Sequence, residues 1–104
     1  MVQTFLEAAE IVRSTIKHGY PQVKKAYIFG SFTNGMQTIN SDLDVVVELD
    51  SSIGLQFISM IQDIEKAIGT TVDVLTMNQV KRLEDRFGYD ILQKAKVVYE
   101  RMSD

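Results

Sequence analysis

Apolar residues recur along the first part of this chain at helical spacing. Phe5, Ala9, Val12 and Ile16 fall at steps of four, three and four, the stripe of an amphipathic helix. With Thr4 as a capping side chain and Gly19 and Pro21 as stops, the spacing predicts a helix from about 4 to 18. The period then changes. Ala26-Tyr27-Ile28-Phe29 is short, aromatic and β-branched and closes at Gly30, which reads as a buried strand, with Lys24 and Lys25 before it as a solvated turn. Between Ser31 and Ser41, Thr33, Asn34, Gly35, Thr38 and Asn40 make a polar stretch that holds a helical turn after Ser31 and a loop before Asp42. Asp42 to Leu49 contains three consecutive valines and reads as a second strand. Gly54 opens a second helical stripe, Phe57, Ile61, Ile64 and Ile68, which Gly69 ends. Thr71 to Thr76 reads as a third strand, Lys81 to Phe87 and about Asp90 to Lys94 as helical pieces, and Val97-Val98-Tyr99 as a last short strand.

Three apolar strands and two long amphipathic helices can bury all their stripes only in two layers. The expected fold is therefore α+β, a three- or four-stranded mixed sheet with helices packed on one side. The chain has 104 residues, 45% of them hydrophobic, with no repeat or linker, so one domain over residues 1–104 is expected. The absence of cysteine excludes disulfides, thiolate zinc sites and cysteine nucleophiles and suits a cytoplasmic protein, and a lone histidine, His18, excludes histidine-rich metal sites. With 14 acidic and 11 basic residues spread along the chain and a net charge of −3, nothing argues for direct nucleic-acid binding. Met1-Val2-Gln3-Thr4-Phe5-Leu6-Glu7 lacks the character of a signal peptide, and no run approaches membrane-spanning length, so a soluble protein without membrane contact is expected.

Candidate chemistry lies in three acids within strand-like apolar segments: Asp42 and Asp44 at the start of the second, Asp73 in the middle of the third. Aspartate is depleted in strands, and an unpaired carboxylate is costly to bury, so each needs a partner or an exposed position. Taken alone, such acids read as a turn cap and two water-facing side chains. What changes that reading is the Gly30-Ser31 turn ahead of them, with ten residues between Ser31 and Asp42. Glycine lets backbone approach a phosphate closely, and a serine at a helix start offers hydroxyl and amide donors where the dipole favours an anion. On a strand, Asp42 and Asp44 share one face, and clustered carboxylate oxygens suit Mg²⁺, which completes its octahedron with water and phosphate oxygens. Together the two halves describe a site for a nucleoside triphosphate and its metals.

Gly30-Ser31, ten residues, Asp42-Leu43-Asp44, and Asp73 within Val72-Asp73-Val74 resemble the motifs of the DNA polymerase β-like nucleotidyltransferase superfamily, and within it the minimal nucleotidyltransferases of prokaryotes. The likeness runs from the leading helix through Gly35 and Ser41 to Ile91-Leu92 and Val97-Val98-Tyr99-Glu100. It implies the polymerase β-like form of the sheet. It also implies that Gly30 and Ser31 hold the triphosphate of ATP, that Asp42 and Asp44 bind Mg²⁺ or Mn²⁺, and that Asp73 completes the metal site or helps activate the attacking hydroxyl. One position departs from the pattern: where small members read Gly-Ser-Phe-Ala-Arg-Gly, this chain reads Gly30-Ser31-Phe32-Thr33-Asn34-Gly35. A neutral Asn34 in place of a cation weakens the hold on phosphate and leaves the metal chemistry in place.

Relatives that modify small molecules carry an additional region for the acceptor, and about 100 residues fill only one ordinary domain. A second copy in a homodimer, or a different protein, is then expected to supply the acceptor. The resemblance further implies a HEPN-domain toxin as partner, with this chain as antitoxin adding AMP to a tyrosine hydroxyl. The alternative is a catalytically degenerate module that binds and neutralises its partner without transfer. The remaining features read as ordinary structure: His18 against the last carbonyls of its helix, Lys81, Arg82 and Arg86 as surface charges compensated by Glu84 and Asp85, with guidance of the triphosphate as the functional alternative, and Tyr20, Tyr27, Tyr89 and Tyr99 as core or interface packing.

Overall fold

The computed structural model describes residues 5–29, 43–51, 54–87 and 95–101. Their elements run α1 (Phe5–Gly19), β1 (Val23–Phe29), β2 (Leu43–Leu49), α2 (Gln56–Ile68), β3 (Val72–Thr76), α3 (Met77–Phe87) and β4 (Lys96–Glu100). The strands form one sheet in the order β3-β2-β1-β4. β1 is antiparallel to both β2 and β4, while β2 and β3 are parallel, which α2 allows by crossing over between them. The sheet is thus mixed and four-stranded, and the fold is α+β.

Helix α1 forms on the stripe the spacing marks, with Ala8, Val12 and Ile16 fully buried and Phe5 and Ala9 packed at the margin. At its end the His18 ring donates from Nδ1 to the Ser14 carbonyl at 2.8 Å, a contact with the helix's own last turn. Helix α2 buries Met60, Ile64 and Ile68 and stops at Gly69, whose φ of +87° is a left-handed cap and whose amide reaches the Glu65 carbonyl at 2.7 Å. The two helices lie over Val23, Ala26 and Ile28 of β1, Leu43, Val45 and Val47 of β2, and Val72 and Val74 of β3. This is the expected two-layer core.

β1 begins at Val23, so Lys24 and Lys25 lie within the strand and not in a solvated turn before it. Two adjacent lysines break the alternation, and a register shift between Val23 and Lys25 absorbs the extra residue, so that Val23 and Ala26 both reach the core. Lys25 is held on the opposite face, its Nζ 5.5 Å from the centre of the Tyr27 ring and 3.9 Å from the Glu100 carboxylate.

That opposite face has its own cover. Val46 points away from the α1–α2 core, since Val45 and Val47 point into it, yet it is fully buried. Helix α3 packs on β2 and β3 and fully buries Val80, and Leu75 of β3 shares a groove with Gln79, Arg82, Leu83 and Arg86 of α3. α3 therefore lies over the Val46–Leu75 part of this second face. It starts at Met77, four residues before Lys81, because Thr76 and Gln79 form a reciprocal cap: the Gln79 amide donates to Thr76 Oγ1 at 3.2 Å and the Thr76 amide to Gln79 Oε1 at 2.9 Å. The Thr4 cap, the helical turn after Ser31 and the piece at 90–94 lie outside the described residues. No helix among the described residues is long and apolar enough to cross a membrane.

Candidate active site

Alternation along β2 puts Asp44 on the face away from the main core, because Leu43 and Val45 on either side of it point inward. The same rule applies to Asp73 between Val72 and Val74. The parallel register then pairs Asp44 directly with Asp73. Adjacent strands lie about 4.8 Å apart, so the two carboxylates stand side by side within reach of a single small ligand. Asp44 is half-buried and Asp73 is exposed, so neither carries the cost of an enclosed charge. On the other side of Asp44, the antiparallel register sets Phe29, the last residue of β1.

The start of the β2–β3 ladder is tied down by two bonds. The Leu43 amide donates to the Thr71 carbonyl at 3.3 Å, and the Val72 amide donates to Glu65 Oε2 at 3.0 Å. The second bond fixes the residue immediately before Asp73 to the end of α2. Sequence reasoning passed over Glu65. Its signal is an acid in the last turn of a helix, where the dipole disfavours negative charge unless the side chain has other work.

Of the residues singled out from the sequence, the structure brings Asp44 and Asp73 together; Gly30, Ser31, Asn34 and Asp42 lie outside the described residues. Chain connectivity still bears on them. Asp42 precedes β2 by one residue, and Gly30 follows Phe29, the register partner of Asp44. Among the described residues no group of three or more histidine, cysteine, aspartate or glutamate side chains is arranged to hold a metal. Two hard oxygen donors on neighbouring strands nonetheless fit Mg²⁺, which takes only one or two protein carboxylates and leaves the rest of its shell to water and phosphate. A second concavity, of about 410 Å³, lies at the far ends of β2 and β3, lined by Glu48, Asp50, Thr76, Asn78 and Lys81 among others, and shares no residue with the aspartate pair.

Residues 10–104 match the family model described as "Polymerase beta, Nucleotidyltransferase". The chain is 36% identical over 75 residues to the Methanocaldococcus jannaschii protein named "Putative protein adenylyltransferase MJ0435", covering 71% of this chain and 77% of that protein. A second protein of the same organism and the same kind of name is 33% identical over 85 residues, covering 76% of this chain and 84% of its own length. In fold the chain is similar to a toxin-antitoxin crystallised with AMP-PNP, with a TM-score of 0.74, 18% identity, and coverage of 90% of this chain and 74% of that one. It is also similar to a structure of tri-AMPylated Shewanella oneidensis HEPN toxin in complex with MNT antitoxin, with a TM-score of 0.69, 13% identity, and coverage of 94% and 74%.

Proposed function

Since the chain belongs to the polymerase beta nucleotidyltransferase family, we propose that it transfers AMP from ATP to a tyrosine hydroxyl of a HEPN-domain toxin and thereby acts as its antitoxin. The observation that carries this reading is the Asp44–Asp73 register pair on the face opposite the main core, beside the end of β1 that leads into Gly30-Ser31. The names of the curated relatives and the toxin complexes of the same fold support the choice of a protein acceptor.

In this mechanism Gly30 and Ser31 bind the triphosphate, and Asp42 and Asp44 hold Mg²⁺ or Mn²⁺. Such an ion supplies positive charge against the phosphate oxygens as negative charge builds there. The tyrosine oxygen forms a bond to the α-phosphorus, the bond from that phosphorus to the bridging oxygen breaks, and pyrophosphate leaves. The hydroxyl proton passes to Asp73 or to solvent, or Asp73 acts instead as a third ligand. Most of the catalysis is positioning, since the carboxylates are already in register before any substrate arrives. The domain extends over residues 1–104 and works in the cytoplasm.

Intact-mass measurement of the partner after mixing with this chain, ATP and Mg²⁺ tests the proposal. Addition of one or more AMP units is expected with the wild type. Asp44→Ala and Asp73→Asn should slow it by about 10²- to 10⁴-fold. Transfer that survives both substitutions would sink this site. Asn34 favours one other outcome: a partner that is neutralised but unmodified would leave binding as the function.

A further inference from the structure

Asp44 and Asp73 are not held in the same way. Asp44 lies on β2, which has β1 on one side and β3 on the other. Asp73 is the second residue of β3, and among the described residues β3 is the edge of the sheet. A ligand that needs both carboxylates therefore depends on what keeps the start of this edge strand in place.

Successive residues of a strand turn their backbone groups to opposite edges. Because the Leu43 amide donates to the Thr71 carbonyl, Thr71, Asp73 and Leu75 direct theirs to β2, while Val72, Val74 and Thr76 direct theirs to the outer edge. No strand of the described residues pairs there, yet side chains take two of the three outer amides. The Val72 amide donates to Glu65 Oε2 at 3.0 Å and the Thr76 amide to Gln79 Oε1 at 2.9 Å. The edge is thus closed at its start from α2 and at its finish from α3, and only the first closure adjoins an acid of the site. Val72 is buried, so without Glu65 its amide has little water to turn to. Glu65 also serves the other end of the same turn, since its carbonyl takes the Gly69 amide that closes α2. The helix itself gains nothing from a negative charge in its last turn, so the carboxylate is accounted for by β3 and not by α2.

We propose that Glu65 is a positioning residue of the metal site: by holding the Val72 amide it keeps Asp73 in register with Asp44, so that both carboxylates face one divalent cation. The assignment rests on the proposed placement of the metal at these aspartates, and it can be measured without any transfer. The probe is Mn²⁺ alone, titrated into the full chain and followed by the electron paramagnetic resonance of the free ion, at a temperature where circular dichroism shows each variant folded. Glu65→Ala leaves the backbone cap of α2 in place and is expected to weaken Mn²⁺ binding by about tenfold. Glu65→Gln keeps an acceptor oxygen for the Val72 amide and should restore it. Gln79→Ala removes the same kind of bond at the far end of β3 and should leave Mn²⁺ affinity unchanged, whatever it costs in stability. In an Asp73→Asn background Glu65→Ala should bring no further loss, because its effect runs through Asp73. Equal loss in Glu65→Ala and Gln79→Ala would reduce the bond to general stability and overturn the assignment. So would a glutamine variant as weak as the alanine one, or a full further loss in the Asp73→Asn background. Binding by the wild type no tighter than by Asp44→Ala would remove the metal site and this role with it. The two readings otherwise fail separately. The expected Mn²⁺ pattern in a chain that transfers no AMP sinks the transfer alone, and AMP transfer by Glu65→Ala with undiminished rate and Mn²⁺ affinity sinks the positioning role alone.

Discussion

Tyr20 joins the end of α1 to the flank of α2 through one hydrogen bond. Its ring is buried, 6% exposed, and its hydroxyl donates to Asp63 Oδ2 at 2.6 Å. Burial first, and then the bond to Asp63 and its negative charge, push the phenol from 10.0 up to about 12. The unfolded chain therefore gives up this proton before the folded one does. The contribution is complete below pH 10 and drains away as the pH rises from 10 through 12. Urea unfolding at neutral pH should show Tyr20→Phe destabilised by about 1 kcal/mol, the net worth of an ordinary hydrogen bond. Between pH 10 and 12 the substituted chain should lose less stability than the wild type, and equal slopes would remove Tyr20 as the cause. Asp73 contrasts with it: its side chain is exposed, so it should be replaceable by asparagine with little change in unfolding midpoint, whatever happens to transfer.

Element boundaries here depend on single backbone choices. Helix α2 must stop at Gly69 so that β3 can begin at Val72 with its amide on Glu65, and the stop requires φ of +87°. A Cβ placed on Gly69 would meet nothing within 4 Å, so substitution there is a matter of backbone conformation alone and involves no clash. Gly69→Ala should cost about 1 to 2 kcal/mol in chemical denaturation. Because the turn it closes leads into Val72 and Asp73, amide exchange at Val72 should quicken more than exchange within β1. A uniform change across the sheet would show that the cap acts only on global stability.

Across the molecule, Arg101 bonds to three residues in two other parts of the chain. Its guanidinium reaches Asp50 Oδ2 at 2.7 Å and the Pro21 carbonyl at 2.7 Å, and its amide donates to the Lys24 carbonyl at 2.8 Å. The end of edge strand β4 is thereby tied to the end of β2, to the Pro21 turn and to the start of β1. The Asp50 carboxyl is held below its usual range, chiefly by the hydrogen bond from Arg101, so this tie is intact at neutral pH and is lost as the pH falls through the carboxylate range. None of these bonds touches the aspartate pair. Ligand binding there reads out independently as a shift of the whole folding equilibrium. ATP with Mg²⁺ at about a hundred times its dissociation constant should raise stability by roughly 2.7 kcal/mol, visible as a higher melting temperature. Chelation of the metal or Asp44→Ala should remove most of the gain. A shift that persists in both would locate the nucleotide elsewhere.

The stripes of α1 and α2, the valines of β2 and the Gly69 stop were legible along the chain because each depends on periods and turn preferences that act within a few residues. So were the mixed sheet with α1 and α2 packed on one face and the identity of Asp44 and Asp73 as acids in strand-like surroundings, although α3 covers the other face, where no helix was expected. The boundary errors have local causes of another kind. Val23 enters β1 because a register shift accommodates Lys24 and Lys25, and α3 reaches back to Met77 through the reciprocal Thr76–Gln79 cap. Side-by-side placement of Asp44 and Asp73, 29 positions apart in the chain, is different in kind. Strand alternation can give each a face, but the register that makes them neighbours comes from packing α2 across the sheet and pinning Val72 to Glu65. The same holds for the groove, since Leu75 and Arg82 meet only once α3 lies over the second face. A sequence carries periodicity because neighbouring residues share one backbone geometry, whereas register between distant strands is set by the collective burial of side chains that no local window contains.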